Sequence, residues 1–148
     1  MGQGSIIGYE INEKTCQISY YNDQQLEPET LESESDNYQI PLIIGKLRDT
    51  WAYGKEAKRL VSIKEGFTVT RLLSRSLAGD RIEFGEESYD AVWLLSQFIQ
   101  MSLQPFPEID GIVFTVPTLT EELAQMLRGI AVRMNIDKRH IFIQDYKE

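Results

Sequence analysis

Two apolar runs open the chain. Residues 6–11 and 17–21 are rich in β-branched and aromatic side chains, and the polar stretch Asn12, Glu13, Lys14, Thr15 separates them. The pattern predicts a β-hairpin with a short turn. Asn12 suits that turn, because it is one of the few non-glycine residues that tolerates a left-handed backbone. Residues 23–37, DQQLEPETLESESDN, are polar and acidic. They predict a long exposed loop. Residues 38–44 predict a third strand, and Pro41 within it favours an edge position or a strand end. Residues 56–61 predict a short helix. Residues 66–76 are apolar and β-branched without a decisive period. Residues 81–84 predict a small strand between turns at Gly79-Asp80 and Gly85. Residues 88–103 predict the longest helix; its apolar positions cover more than one stripe, so it is buried on several sides. Pro105 and Pro107 stop it.

The C-terminal part carries a clearer signal. GIVFTV, residues 111–116, is a continuous apolar run of the kind expected of a central strand covered on both faces. Pro117 ends it. Thr118 and Glu121 have capping-box spacing, and Leu119, Leu123, Met126, Leu127, Ile130 and Met134 follow at helical intervals. Asn135 fits a left-handed helix end. Residues 140–143 predict a closing strand, parallel to residues 111–116 through a crossover helix. Three antiparallel strands followed by a βαβ unit predict an α/β fold with a five-stranded mixed sheet and helices on both faces. That order is ribonuclease H-like.

Composition narrows the chemistry. A chain of 148 residues fits one domain, 1–148, large enough for a core without staples. The net charge of −8 removes the broad attraction to phosphate backbones or anionic lipid heads, so neither nucleic acid nor membrane is expected as a partner. Cys16 is the single cysteine, and no apolar run approaches the ~20 residues of a membrane helix. The expected location is the cytoplasm. His140 has no second histidine to work with, and Trp51 and Trp93 read as packing anchors.

Four segments, in order, carry a resemblance to a known superfamily: IIGYEINEKTCQISYY, YQIPLIIGKL with YGKEAKRL, GIVFTVPTLTEELAQMLRGIAVRMNI and HIFIQDYKE. Together they resemble the first, N-terminal nucleotide-binding lobe of the actin, DnaK-type (Hsp70-like) chaperone and sugar-kinase ATPases. The resemblance implies ATP and magnesium in a cleft between two lobes, with a hairpin of each lobe cradling phosphates. It assigns Glu10, Asn12, Glu13, Lys14, Pro117 and Thr118 to that cleft, Glu10 and Asp145 to a metal held through water, and Asp145 to the catalytic acid. It also implies a partner: the second lobe of the same fold, or another copy of the chain.

The hairpin departs from the family pattern Asp-x-Gly-Thr or Asp-x-Gly-Ser, because Glu10, Ile11, Asn12 and Glu13 stand there. Glu10 keeps a carboxylate. Glu13 sets a negative charge where phosphate would sit, and like charges about 4 Å apart repel by about 1 kcal/mol in water and more in a cleft. Lys14 offers a compensating cation. Two functions remain open: a nucleotide-binding lobe, inactive or weak by itself and part of a longer chain, or a non-catalytic interaction or assembly module on a degenerate actin-like fold. A metal-dependent nuclease is a weaker third, since its cluster of acids is missing.

Overall fold

The computed structural model describes residues 4–21, 29–30, 39–63, 66–84 and 86–146. In chain order they form strands β1 (Ser5–Ile11), β2 (Thr15–Tyr21), β3 (Glu29–Thr30), β4 (Ile40–Pro41), β5 (Ile44–Leu47) and β6 (Thr50–Tyr53). Helix α1 (Gly54–Arg59) runs on into a 3-10 turn (Leu60–Ser62), and β7 (Gly66–Val69), α2 (Leu72–Leu77), β8 (Arg81–Phe84), β9 (Glu87–Asp90) and α3 (Ala91–Ser102) follow. The chain closes with β10 (Ile109–Val116), α4 (Glu121–Arg133), a 3-10 turn (Lys138–His140) and β11 (Ile141–Asp145). These elements cluster into two compact units.

The first unit takes its described residues from Met1–Asn12, Cys16–Gln39 and Leu103–Glu148. Its sheet has the order β11-β10-β1-β2-β3. Strands β1, β2 and β3 pair antiparallel, while β1–β10 and β10–β11 are parallel. The α/β class and the five-stranded mixed sheet are therefore as the pattern predicts. One face of β1 and β10 is core: Ile7, Tyr9, Ile11, Ile112, Phe114 and Val116 are fully buried or nearly so. Tyr9 and Phe114, side by side in the register, meet edge to face at 5.6 Å. Cys16 donates to the Tyr9 hydroxyl at 3.7 Å, and burial pushes its thiol up to about 12. It is thus an inert small core residue at neutral pH.

Two expectations change here. First, residues 29–30 of the acidic stretch, expected as loop, pair with β2 as β3, and Glu29 also accepts a hydrogen bond from the Tyr20 hydroxyl at 3.1 Å. The rest of residues 23–37 lies outside the described residues. Second, the cap of α4 is Thr120, whose hydroxyl oxygen accepts from the Leu123 amide at 3.1 Å, so Thr118 stands before the helix. Only Thr118 has a glutamate three residues on, at Glu121, while Thr120 has Leu123 there, so the capping-box spacing favoured the wrong threonine. Helix α4 buries Leu123, Leu127, Ile130 and Ala131, and Asn135 adopts the expected left-handed backbone at φ 67°.

The second unit comprises Glu13–Thr15 and the described residues of Ile40–Ser102. A three-stranded antiparallel sheet runs β6-β5-β7, and β8–β9 is a separate hairpin. The predicted strand over 38–44 is divided instead: β4 is two residues long, and β5 joins the second sheet. Locality explains the choice. Residues Arg48 and Asp49 connect β5 to β6 in a tight turn, with Arg48 at φ 58°, and a short loop costs little closure entropy. Residues 66–76 resolve into β7 and α2. The predicted long helix begins at Ala91, because residues 87–90 pair as β9. It does bury several sides, with Leu94, Leu95, Ser96, Phe98 and Ile99 all inside.

Candidate functional site

Parallel pairing brings the C-terminal ends of β1, β10 and β11 to one edge of the first sheet. Glu10 lies opposite Thr115, Thr115 opposite Gln144, and Val116 opposite Asp145. In open α/β sheets that edge is where ligands bind. Pro117 and Thr118, both exposed, follow β10 directly. Gln144 donates from Nε2 to the Thr115 hydroxyl at 3.3 Å, extending the polar row that starts at Glu10.

Asp145 turns to the loop after β10. Its Oδ2 accepts from the Leu119 amide at 3.4 Å, and the next residue, Tyr146, donates its amide to the Val116 carbonyl at 3.1 Å. Tyr146 also ties the edge to the hairpin. Its phenol is held above the usual tyrosine value, first by burial and then by the charge of Glu10, against a hydrogen bond with Asn12 that lowers it. The structure therefore gathers Glu10, Asn12 and Tyr146 at one place and sets Asp145 beside Leu119. Tyr146 carried no signal in the sequence, since nothing in a near-terminal tyrosine announces what it touches.

Glu13 has a different occupation. Its Oε1 accepts from the Ser74 amide at 2.9 Å, and its other carboxylate oxygen accepts from the Ser74 hydroxyl. Ser74 is the third residue of α2, and the residue before that helix, Arg71, supplies no side-chain cap. The Glu13 carboxylate thus fills a helix-capping role from 61 residues away in sequence. Beside it, the Lys14 carbonyl accepts from the Leu42 amide at 2.8 Å. By these contacts Glu13 and Lys14 belong to the second unit.

This arrangement does not fit a phosphate cradle. Such a loop needs small residues and free backbone amides aimed at the anion. Here the tip holds an anchored carboxylate, and Asn12 and Glu13 stand where the small residues would be. Among the described residues no group of three or more His, Cys, Asp or Glu side chains could hold a metal ion. The two acids at the sheet edge suit at most a cation that keeps most of its waters.

Comparison with known proteins agrees with the fold and goes no further than it. The chain is similar in structure to a non-polymerising mutant of MamK bound to AMPPNP, with a TM-score of 0.63 and 11% identity. The match covers 98% of this chain and 42% of the MamK chain, so the chain spans less than half the length of that actin-like relative. No curated protein matches the sequence. Residues 27–148 match the model of a family described as "Family of unknown function (DUF5716) C-terminal", and the chain belongs to that family.

Proposed function

We propose that this chain is one lobe of an actin-like protein in which the fold serves assembly and partner binding rather than nucleotide turnover. The observation that supports this most is the Glu13 carboxylate seated on the Ser74 amide and hydroxyl. A residue that departs from the phosphate-binding pattern has a structural task of its own, at the start of α2. The partner is the second lobe of the same fold or another copy of the chain, and the location is the cytoplasm. The test is an NMR titration with millimolar AMPPNP and magnesium. Unchanged amide signals at Asn12, Glu13, Thr118 and Tyr146 are expected. Saturable shifts centred on those residues, lost in Glu10→Ala, would overturn the reading.

A second reading keeps nucleotide binding, weak in the isolated lobe. It is favoured by Glu10 and Asp145 at the ligand-binding edge of the sheet, and by the nucleotide analogue in the MamK structure. In it Glu10 and Asp145 would hold a magnesium ion through its waters, and the ion would screen the charge of the ATP phosphates, while Glu13 stays on Ser74. The same titration separates the two readings.

A further inference from the structure

The second unit carries an aromatic ladder that its own packing leaves open at both ends. Phe84 stacks on Phe67 at 4.3 Å, and Tyr89 stacks on Trp93 at 5.4 Å; Phe67 and Tyr89 lie nearly parallel at 6.4 Å. Trp51 meets Phe67, Tyr89 and Trp93 at 5.3–6.2 Å. The terminal rings are the exposed ones: Phe84 is 41% exposed and Trp93 42%. An isolated exposed aromatic needs no explanation, but two at the ends of one continuous stack form a patch.

Acidic side chains border it. Glu83, Glu86, Glu87 and Asp90 on the β8–β9 hairpin are exposed. Arg81 pairs with Asp90 at 2.9 Å and Lys46 with Glu87 at 3.2 Å. Among the described residues no cation pairs with Glu83 or Glu86. Carboxylates therefore outnumber cations around the rings.

The patch already binds one cation of its own. Lys46 Nζ lies 5.2 Å from the centre of the Trp51 ring and 5.7 Å from that of Tyr89. It also donates to the Tyr89 hydroxyl at 3.1 Å, and that hydroxyl donates to Glu87 at 2.6 Å. These contacts hold the ammonium group charged: its pKa is raised, by the bond to Tyr89 first and to Glu87 second. Rings and carboxylates together make a seat for a positive charge, and Lys46 fills only its inner part.

We infer that the outer part, from Phe84 to Trp93 along the Glu83–Glu86 rim, docks an arginine-bearing peptide segment of another protein. Charge complementarity selects a cationic partner. The mixture of ring faces and carboxylates selects arginine over lysine, because a planar guanidinium stacks on an aromatic ring while its edge pairs with a carboxylate. This surface lies within the second unit and uses neither Glu10 nor Asp145, so it extends the interaction reading and does not depend on the nucleotide result.

The experiment uses the 148-residue chain and fluorescently labelled ten-residue peptides that alternate glycine with arginine, lysine or glutamate, read by anisotropy. The arginine peptide should bind best, the lysine peptide about tenfold more weakly, a difference of ~1.4 kcal/mol, and the glutamate peptide not at all. Trp93→Ala leaves every charge in place and should lower arginine-peptide affinity about tenfold or more; Phe84→Ala is the second variant, should Trp93→Ala fail to fold by circular dichroism. Glu83→Gln with Glu86→Gln should weaken binding and flatten its salt dependence. Glu121→Gln with Glu122→Gln, on α4, is the control and should leave binding unchanged. Equal binding by the Trp93 and Phe84 variants, or equal loss in the α4 control, would show generic attraction to an acidic protein and overturn the proposal.

Discussion

Glu13 shows what a residue's neighbours in sequence leave out. By sequence it is a negative charge spoiling a phosphate turn. In the fold its carboxylate supplies the cap that Arg71 does not. Glu13→Ala should therefore destabilise the protein by about 1 kcal/mol, the usual cost of losing a cap, and calorimetry should show a lower Tm with hydrogen exchange accelerated in residues 72–77. Glu13→Ala with an unchanged Tm would mean that the contact contributes nothing. Asp137 offers a pH-dependent case. Its carboxyl is held well below the usual carboxylate range by the Arg139 guanidinium, then by the Arg139 amide. A depressed carboxyl stabilises above its unfolded value, near about 3.9, and loses that contribution as pH falls through the folded value. Asp137→Asn should flatten the dependence of Tm on pH below about pH 4 and change little at neutrality. The effect should be small, because the pair is exposed.

At the scale of elements, the second unit depends on close strand packing. Gly45 sits in β5, the middle strand of its sheet, and a Cβ there would come within 2.8 Å of the Phe67 carbonyl and 3.1 Å of Leu60. A backbone atom cannot turn aside as a side chain does. Gly45→Ala should force β5 from β7 and destabilise by about 1–3 kcal/mol, as overpacking does. Denaturant titration and exchange of the β7 amides would register it. Gly8 is the useful contrast: a Cβ there would meet only the Ser19 hydroxyl, at 2.5 Å. That side chain can rotate, so Gly8→Ala should cost less than Gly45→Ala. The elements most legible in the sequence were β1, β2, β10, α4 and β11, whose periodicity is long and whose pairings are simple. Those least legible were β3 and the divided 38–44 segment. A two-residue strand has no period to detect, and the choice of sheet for residues 44–47 depends on a partner strand, not on their own pattern.

For the molecule as a whole, one face of the first sheet is core and the other retains exposed apolar residues. Ile6, Gly8, Val113 and Phe142 share that second face, as the registers require. Ile6 is 49% exposed and Phe142 58%. Exposed apolar area of this kind favours self-association. Sedimentation at rising concentration should reveal a reversible larger species, and Ile6→Ser with Phe142→Ser should shift it towards monomer. A monomer at all concentrations would remove the homo-oligomer from the list of partners.

The sequence by itself determined the α/β class, the mixed five-stranded sheet, the parallel βαβ closure and the acidic, cysteine-poor character. These follow from local periodicity and composition, which each segment carries within itself. Through the resemblance of its segments to an actin-like lobe it also singled out Glu10, Asn12 and Asp145. Only the tertiary structure decided that Tyr146 gathers Glu10 and Asn12, that Glu13 caps α2 through Ser74, and that Phe84, Phe67, Tyr89 and Trp93 stack beside Lys46. Each of these joins side chains from separate segments, and no single segment's pattern records which distant residue it will meet.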